Sequence, residues 1–123
     1  MDKNRFDYLV NALNEYEGVE ETFLLNGEGD IIFKSGDFPL TSEEAKAILK
    51  AWKSKESALM FQNHRFAILK NDDIQLAAKN IGAGKGNIVG SITKEEYYLI
   101  AHTRDEGMIL LEWSIFINKI AWS

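Results

Sequence analysis

The sequence predicts an α+β domain in which three helices pack on a seven-stranded antiparallel sheet. Two segments, near the start and in the middle of the chain, repeat apolar residues at the 3.6-residue period of a helix. A third segment, at the end of the chain, is apolar on more than one face. Seven further segments are short runs rich in β-branched and aromatic residues, which is typical of strands. We expect one domain to fill residues 1–123, because no linker, repeat or low-complexity tract divides the chain.

The first predicted elements are a helix and a β-hairpin. Residues 3 to 16 carry apolar side chains on one helical face, and Gly18 ends this helix. The runs 21–26 and 30–35 are joined by Gly-Glu-Gly, in which the glycines permit the positive φ of a tight turn. These two runs therefore predict a hairpin.

A second helix is predicted at residues 42 to 54. Thr41 or Ser42 followed by Glu44 resembles a capping box, in which two side chains satisfy free backbone N–H groups at the start of a helix. Pro39 lies just upstream, and apolar residues follow at helical spacing.

The remainder of the chain predicts a meander and a last helix. Five runs have the length and spacing of strands, namely 57–62, 65–70, 74–79, 87–93 and 97–102. Their connectors are too short to hold a crossover helix, so each strand must pair antiparallel with the next. Gly107 then opens the segment 108–122, which is apolar on more than one face. One side of that helix can therefore stay exposed as a partner site.

Composition and charge exclude several classes of function. The chain has no cysteine, which excludes disulfides and thiolate metal sites and favours the cytoplasm as its compartment. Its 19 acidic and 14 basic residues give a net charge of −5, which argues against a nucleic-acid-binding protein. No stretch approaches the roughly 20 apolar residues of a membrane span, so we expect a protein that is not embedded in a membrane.

The residue pattern does not indicate catalysis or a bound metal. His64 and His102 are the only histidines, and they lie in separate strands or turns without metal-ligand spacing. The glycine-rich run 81–87 lacks the hydroxyl residue of a phosphate loop, and a strand follows it where a phosphate loop would open a helix. We expect no catalytic residue, no metal site and no cofactor.

Two groups of residues can serve a partner. Four cations of the meander and its loops can share one rim of the sheet, namely Arg65, Lys70, Lys79 and Lys85. Such a rim either binds a partner or only discourages edge-to-edge pairing. Three aromatic residues near the chain ends, Phe6, Tyr8 and Trp122, form either a groove between the terminal helices or part of the core.

The order of elements and three local motifs resemble the profilin family. Residues 65–73 (RFAILKNDD) resemble a strand of that family with its acidic turn, 36–44 (GDFPLTSEE) its connection into the second helix, and 97–103 (YYLIAHT) its last strand. The resemblance covers nearly the whole chain, and the acidic, cysteine-free composition is similar to the divergent profilins of Asgard archaea. It implies a profilin-like fold with the N- and C-terminal helices on one face of the sheet and the further helix on the other.

The resemblance also implies a function. Profilins bind monomeric actin, so the expected partner is actin or an archaeal actin homologue, and the expected role is regulation of filament assembly by a non-enzymatic, cytoskeleton-associated monomer. The implied contact surface combines the four cations with residues at the start of the last helix, namely Gly107, Leu110, Leu111 and Ser114.

Binding of proline-rich peptides is a second implied trait. An ungapped match places Phe6 and Leu9 where the family has a tryptophan and a tyrosine. Because Leu9 has no hydroxyl to donate, we expect weak peptide binding through Phe6, Tyr8 and Trp122. Phosphoinositide binding, another family trait, is disfavoured by the acidic chain.

Two other folds compete with this interpretation. A roadblock/LC7-like domain, which is a homodimerising scaffold, shares the helix–hairpin–helix beginning but has only three strands after its second helix. A PAS-like sheet would serve an enzyme or a small-ligand sensor, and it would need a pocket lined by convergent polar groups. The strand count after the second helix separates the first alternative from the profilin-like fold.

Overall fold

A computed structural model describes residues 1–123 and contains three α-helices and seven β-strands. The elements are α1 Lys3–Leu13, β1 Val19–Leu25, β2 Ile31–Lys34, α2 Ser42–Lys53, β3 Ala58–Phe61, β4 His64–Asn71, β5 Gln75–Asn80, β6 Asn87–Ile92, β7 Tyr98–Thr103 and α3 Leu110–Ala121. Their class and order confirm the prediction. The first and last helices are shorter than predicted because Asn14 caps α1 and Ile109 caps α3.

All seven strands belong to one antiparallel sheet. Their order across the sheet is β2-β1-β7-β6-β5-β4-β3, so β3 to β7 form the predicted five-stranded meander. The β1–β2 hairpin joins the meander through β1 and β7, where Thr22 lies opposite Ala101. The two free edges of the sheet are therefore β2 and β3.

Two apolar cores lie on opposite faces of the sheet. Strand β1 shows the division, since Phe23 and Leu25 belong to the core beneath α2, whereas Leu24 belongs to the core shared with α1 and α3. Trp52 of α2 and Trp113 of α3 are both fully buried in their respective cores. This arrangement confirms the predicted placement of the terminal helices on one face and the further helix on the other.

The start of α2 shows only half of the predicted capping box. Thr41 Oγ1 accepts a hydrogen bond from the Glu44 backbone N–H (3.1 Å). The Glu44 carboxylate does not return to residue 41, because it accepts the backbone N–H of Gln62 in the β3–β4 turn (2.6 Å). This glutamate therefore ties α2 to the edge hairpin.

One glycine is required where α2 crosses the sheet. The Trp52 ring lies so close to Gly90 of β6 that a β-carbon added there would be 2.8 Å from a ring carbon. The indole N–H of Trp52 donates to the Asp72 carbonyl (2.8 Å), which holds the ring in place.

None of the three helices has both the length and the apolar character needed to cross a bilayer.

Candidate functional site

Helices α1 and α3 leave part of their sheet face uncovered. Strand alternation turns Phe66 and Ala78 toward α2, and it turns the neighbouring side chains of β4 and β5 to the opposite face. On that opposite face, α3 packs mainly against β6 and β5. We call the uncovered part, formed by β3, β4, the end of β5 and the start of α3, the open face.

Large apolar side chains are exposed on the open face. More than half of the surface of each of four residues is accessible, namely Met60 on β3, Leu69 on β4, and Ile109 and Leu111 at the start of α3. A shallow depression of about 390 Å³ lies beside the last three and is lined by Leu69, Lys70, Ala77, Lys79, Ile109, Leu110 and Leu111. Met60 lies outside this depression. Four of the predicted contact residues therefore meet in this depression.

A β-bulge in β4 brings Lys70 to the open face. The register between β4 and β5 shifts between Ile68 and Lys70, so that Lys70 lies opposite Ala77 and Asn71 lies opposite Leu76. Without the extra residue, Lys70 would point to the α2 face with Phe66 and Ile68. The sequence analysis missed the bulge, and with it the contribution of Leu69, although the consecutive apolar residues Ile68 and Leu69 depart from the alternation of a regular strand.

The four predicted cations do not share one rim. Arg65 and Lys70 are exposed and make no ion pair, whereas Lys79 pairs with Asp105 (Nζ to Oδ2, 2.6 Å). Lys85 belongs to the loop after β5 and lines a small pocket with Phe61 and other residues that face α2. Strand-end spacing could not show this, because the path of the loop decides where Lys85 lies.

The carboxylate of Asp105 is held from two sides. Its Oδ2 atom accepts from Lys79, and its Oδ1 atom accepts from the side-chain amide of Asn87 (2.9 Å). The hydrogen bond from Lys79, followed by that from Asn87, holds the pKa of Asp105 below its usual value despite partial burial. Asp105 is therefore a fixed negative charge beside the open face, and the sequence analysis did not identify it.

Two predicted residues of the last helix differ in accessibility. Gly107 is exposed, with φ +76° in the turn before α3. Ser114 is only 1% exposed, and its backbone carbonyl accepts the Gln75 side-chain amide (3.1 Å), which attaches α3 to β5. Ser114 therefore attaches α3 to the sheet and is not accessible to a partner, because the rotation of α3 turns this position toward the sheet.

Only two of the three terminal aromatic residues, Tyr8 and Trp122, are accessible at the surface. Phe6 is 1% exposed and stacks on Phe33, with 5.3 Å between ring centroids. The Tyr8 hydroxyl hydrogen-bonds with Ser123 Oγ (3.2 Å). Trp122 is half exposed and is the C-cap residue that follows the last turn of α3. Sequence spacing alone could not separate a core aromatic residue from a surface one.

His102 and the glycine-rich loop have structural partners within the domain. His102 lies between the Glu21 carboxylate (3.2 Å) and the Lys85 carbonyl (2.6 Å), and His64 is in a different strand. The Asn80 side chain accepts the backbone N–H groups of Ala83 and Lys85, so the loop uses its own amides internally. No group of three or more histidine, cysteine or acidic residues is placed to hold a metal ion.

Comparison with solved structures shows which fold this is. The chain superposes on a structure described as a LokiProfilin2/rabbit actin complex with a TM-score of 0.82, 17% identity and coverage of 98% of this chain and 95% of that one. On a structure described as a LokiProfilin1/rabbit actin complex, the chain superposes with a TM-score of 0.81 and 17% identity, over 98% of this chain and 93% of that one. At this level of identity, the comparisons show a profilin-like fold.

The roadblock/LC7 alternative is weaker. A roadblock/LC7 domain from Streptomyces avermitillis superposes with a TM-score of 0.60 and 15% identity, over 98% of this chain and 97% of that one. The two folds share their beginning, but five strands follow α2 here. The strand count therefore favours the profilin-like fold, as the sequence analysis expected.

Sequence comparison identifies the family. No protein-family model matches the chain. The chain is, however, 73% identical to Loki profilin-3 of Lokiarchaeum sp. over 123 residues, which is 100% of both chains. An identity of this size over the whole length, together with the seven-stranded fold, shows that the chain belongs to the profilin family.

Proposed function

We propose that this protein binds monomers of actin, or of an archaeal actin homologue, and thereby regulates filament assembly. The proposal is supported by the 73% identity to Loki profilin-3 and by the similar fold of two Loki profilins that were solved in complex with rabbit actin. The protein acts by binding, as a cytoplasmic monomer, and uses no cofactor.

The observation that carries the proposal is the open face. Exposed apolar side chains that are rimmed by polar and charged residues mark protein interaction sites in soluble proteins. Here Leu69, Ile109 and Leu111 line the depression together with the unpaired cation Lys70. The unpaired cation Arg65 lies nearer the other end of β4, opposite Met60. This face suits a partner that offers an apolar centre with an acidic rim.

The proposed contact set follows from the geometry of the open face. It keeps six of the residues inferred from the sequence and adds three that the structure exposes. These are Arg65, Lys70, Lys79, Gly107, Leu110 and Leu111, with Met60, Leu69 and Ile109 in addition. Ser114 and Lys85 are left out, the first because it is buried and the second because it lies with residues of the α2 face.

An assembly assay tests the proposal directly. Fluorescently labelled actin monomers are induced to polymerise with increasing amounts of the protein, and complex formation is followed by size exclusion. We expect a slower rise of the polymer signal and a 1:1 complex, because a monomer held at the open face is withdrawn from spontaneous nucleation. Unchanged assembly at a large molar excess, with no complex on the column, would refute the proposed function.

A further inference from the structure

We propose that Asp105 limits how strongly the open face binds an acidic partner, because it holds the Lys79 ammonium group in an internal ion pair. The inference rests on the proposed function, in which the open face receives actin. It assigns to Asp105 the role of setting the charge specificity of that contact.

The Lys79–Asp105 pair is built into the fold. Asn87, which donates to Asp105, is fully buried at the start of β6 and also donates to Thr103 Oγ1 (3.3 Å). The carboxylate is thus oriented by a rigid amide beneath the surface. By contrast, Lys55 in the connection after α2 and Asp73 in the β4–β5 turn are 3.3 Å apart at the surface, and the Asp73 side chain is 96% accessible.

This pair changes the charge that a partner meets. Arg65 and Lys70 present free positive charges on the open face, whereas Lys79 and Asp105 together contribute none. A partner carboxylate that approaches Lys79 must compete with an acceptor already 2.6 Å away and with the negative charge that accompanies it. Rim charges of this kind act mainly on the association rate and on its salt dependence.

The substitution Asp105→Asn isolates this effect. Asparagine keeps an oxygen that can accept the Asn87 amide but removes the negative charge. Binding to actin monomers is measured by surface plasmon resonance at low and at high salt. We expect the variant to bind about two- to fivefold more tightly at low salt, which is the range expected for one exposed ion pair. The gain should arise in the association rate and shrink at high salt.

Two further variants assign the gain to Lys79. Asp30→Asn is the matched control, because Asp30 forms a similar ion pair with Lys46 (2.8 Å) between the β1–β2 turn and α2. It should leave binding unchanged. Lys79→Gln should weaken binding in the wild-type background, because it leaves Asp105 as an unpaired negative charge on the open face. In the Asp105→Asn background, Lys79→Gln should abolish the gain.

The possible outcomes separate this inference from the proposed function. Weaker or unchanged binding of Asp105→Asn would overturn the inference, since it would mean that Asp105 contacts a cation of the partner or none of its charges. An equal gain in Asp30→Asn would also overturn it, because net charge alone would then explain the effect. If the wild-type protein forms no complex with actin, the proposed function itself fails.

Discussion

At the scale of single residues, Leu111 and Ile115 show how position decides the role of an exposed apolar side chain. Both are 60% exposed on α3 and lie one helical turn apart. Leu111 lines the depression of the open face, whereas Ile115 does not. Equal exposure therefore does not make the two residues equivalent for a partner.

This difference makes a matched pair of substitutions possible. Leu111→Asp should weaken actin binding at least about tenfold, because a charge placed in the apolar centre of an interface remains unpaired and desolvated. Ile115→Asp should bind close to the wild-type level. Isothermal titration calorimetry with actin monomers measures the dissociation constant of each variant, and circular dichroism checks that both variants fold. Equal losses in the two variants would show that the depression is not the centre of the contact.

A second residue-scale prediction concerns the packing of α2 on the sheet. Gly90→Ala places a methyl group 2.8 Å from the Trp52 ring, so the ring or β6 must shift. We expect the free energy of unfolding to fall by about 1–3 kcal/mol, which is typical of overpacking in a core. Urea denaturation followed by Trp fluorescence measures this change in the free energy of unfolding.

Gly36→Ala is the control for this substitution. A β-carbon at Gly36 meets no atom within 4 Å, so its free energy of unfolding should change by less than about 0.5 kcal/mol. If Gly90→Ala and Gly36→Ala have the same free energy of unfolding, the close approach of Trp52 to β6 does not require glycine at position 90.

At the scale of elements, the surface between the terminal helices determines whether a peptide can bind there. Phe6 is buried, Leu9 has no hydroxyl group, and Trp122 is half exposed just after the end of α3. The sequence analysis missed Tyr16 of the loop after α1, which is half exposed and contacts Phe116 of α3 edge to face at 4.9 Å. A single aromatic pair offers less stacking surface than a continuous groove.

We therefore expect weak binding of proline-rich peptides. A decaproline should bind with a dissociation constant in the high micromolar range or weaker, corresponding to roughly −5 to −6 kcal/mol. Titration followed by Trp fluorescence detects binding near Trp122, because Trp52 and Trp113 are buried. Repeating the titration with Trp122→Phe shows whether the fluorescence change comes from Trp122. Low-micromolar binding would show that the terminal helices form a groove that the structure does not contain.

At the scale of the whole molecule, ionised aspartates connect stability to pH. Hydrogen bonds from Lys46 to Asp30 and from Lys79 to Asp105 hold the pKa of each carboxyl below its usual value in the folded protein. In the unfolded chain these groups titrate near a pKa of about 3.9. Their contribution to stability is therefore complete above that pH, and it is lost as the pH falls through the lower pKa of the folded state.

The double variant Asp30→Asn/Asp105→Asn should consequently lose less stability in acid. We expect its urea midpoint to decline less steeply than that of the wild type between about pH 5 and pH 2. Asp37→Asn is the control, because the Asp37 side chain accepts no hydrogen bond and forms no ion pair. Parallel curves for the wild type and the double variant would show that these two contacts do not stabilise the folded state.

The sequence by itself determines the order of helices and strands, the meander and the placement of helices implied by the family resemblance. Helical period, strand alternation and connector length are local properties, so a single sequence displays them. The family resemblance singled out Leu110 and Leu111 as contact residues, and the structure has both at the start of the last helix. Their accessibility, however, depends on what packs against that helix.

The tertiary structure alone decides which side chains reach the open face. One extra residue in β4 turns Lys70 to the open face, and the rotation of α3 buries Ser114. The buried Asn87 side chain donates a hydrogen bond to Asp105, which forms an ion pair with Lys79. Each of these depends on contacts between segments far apart in the chain. Local periodicity carries no information on such contacts, so the fold could be predicted from the sequence while the charge and shape of the candidate site could not.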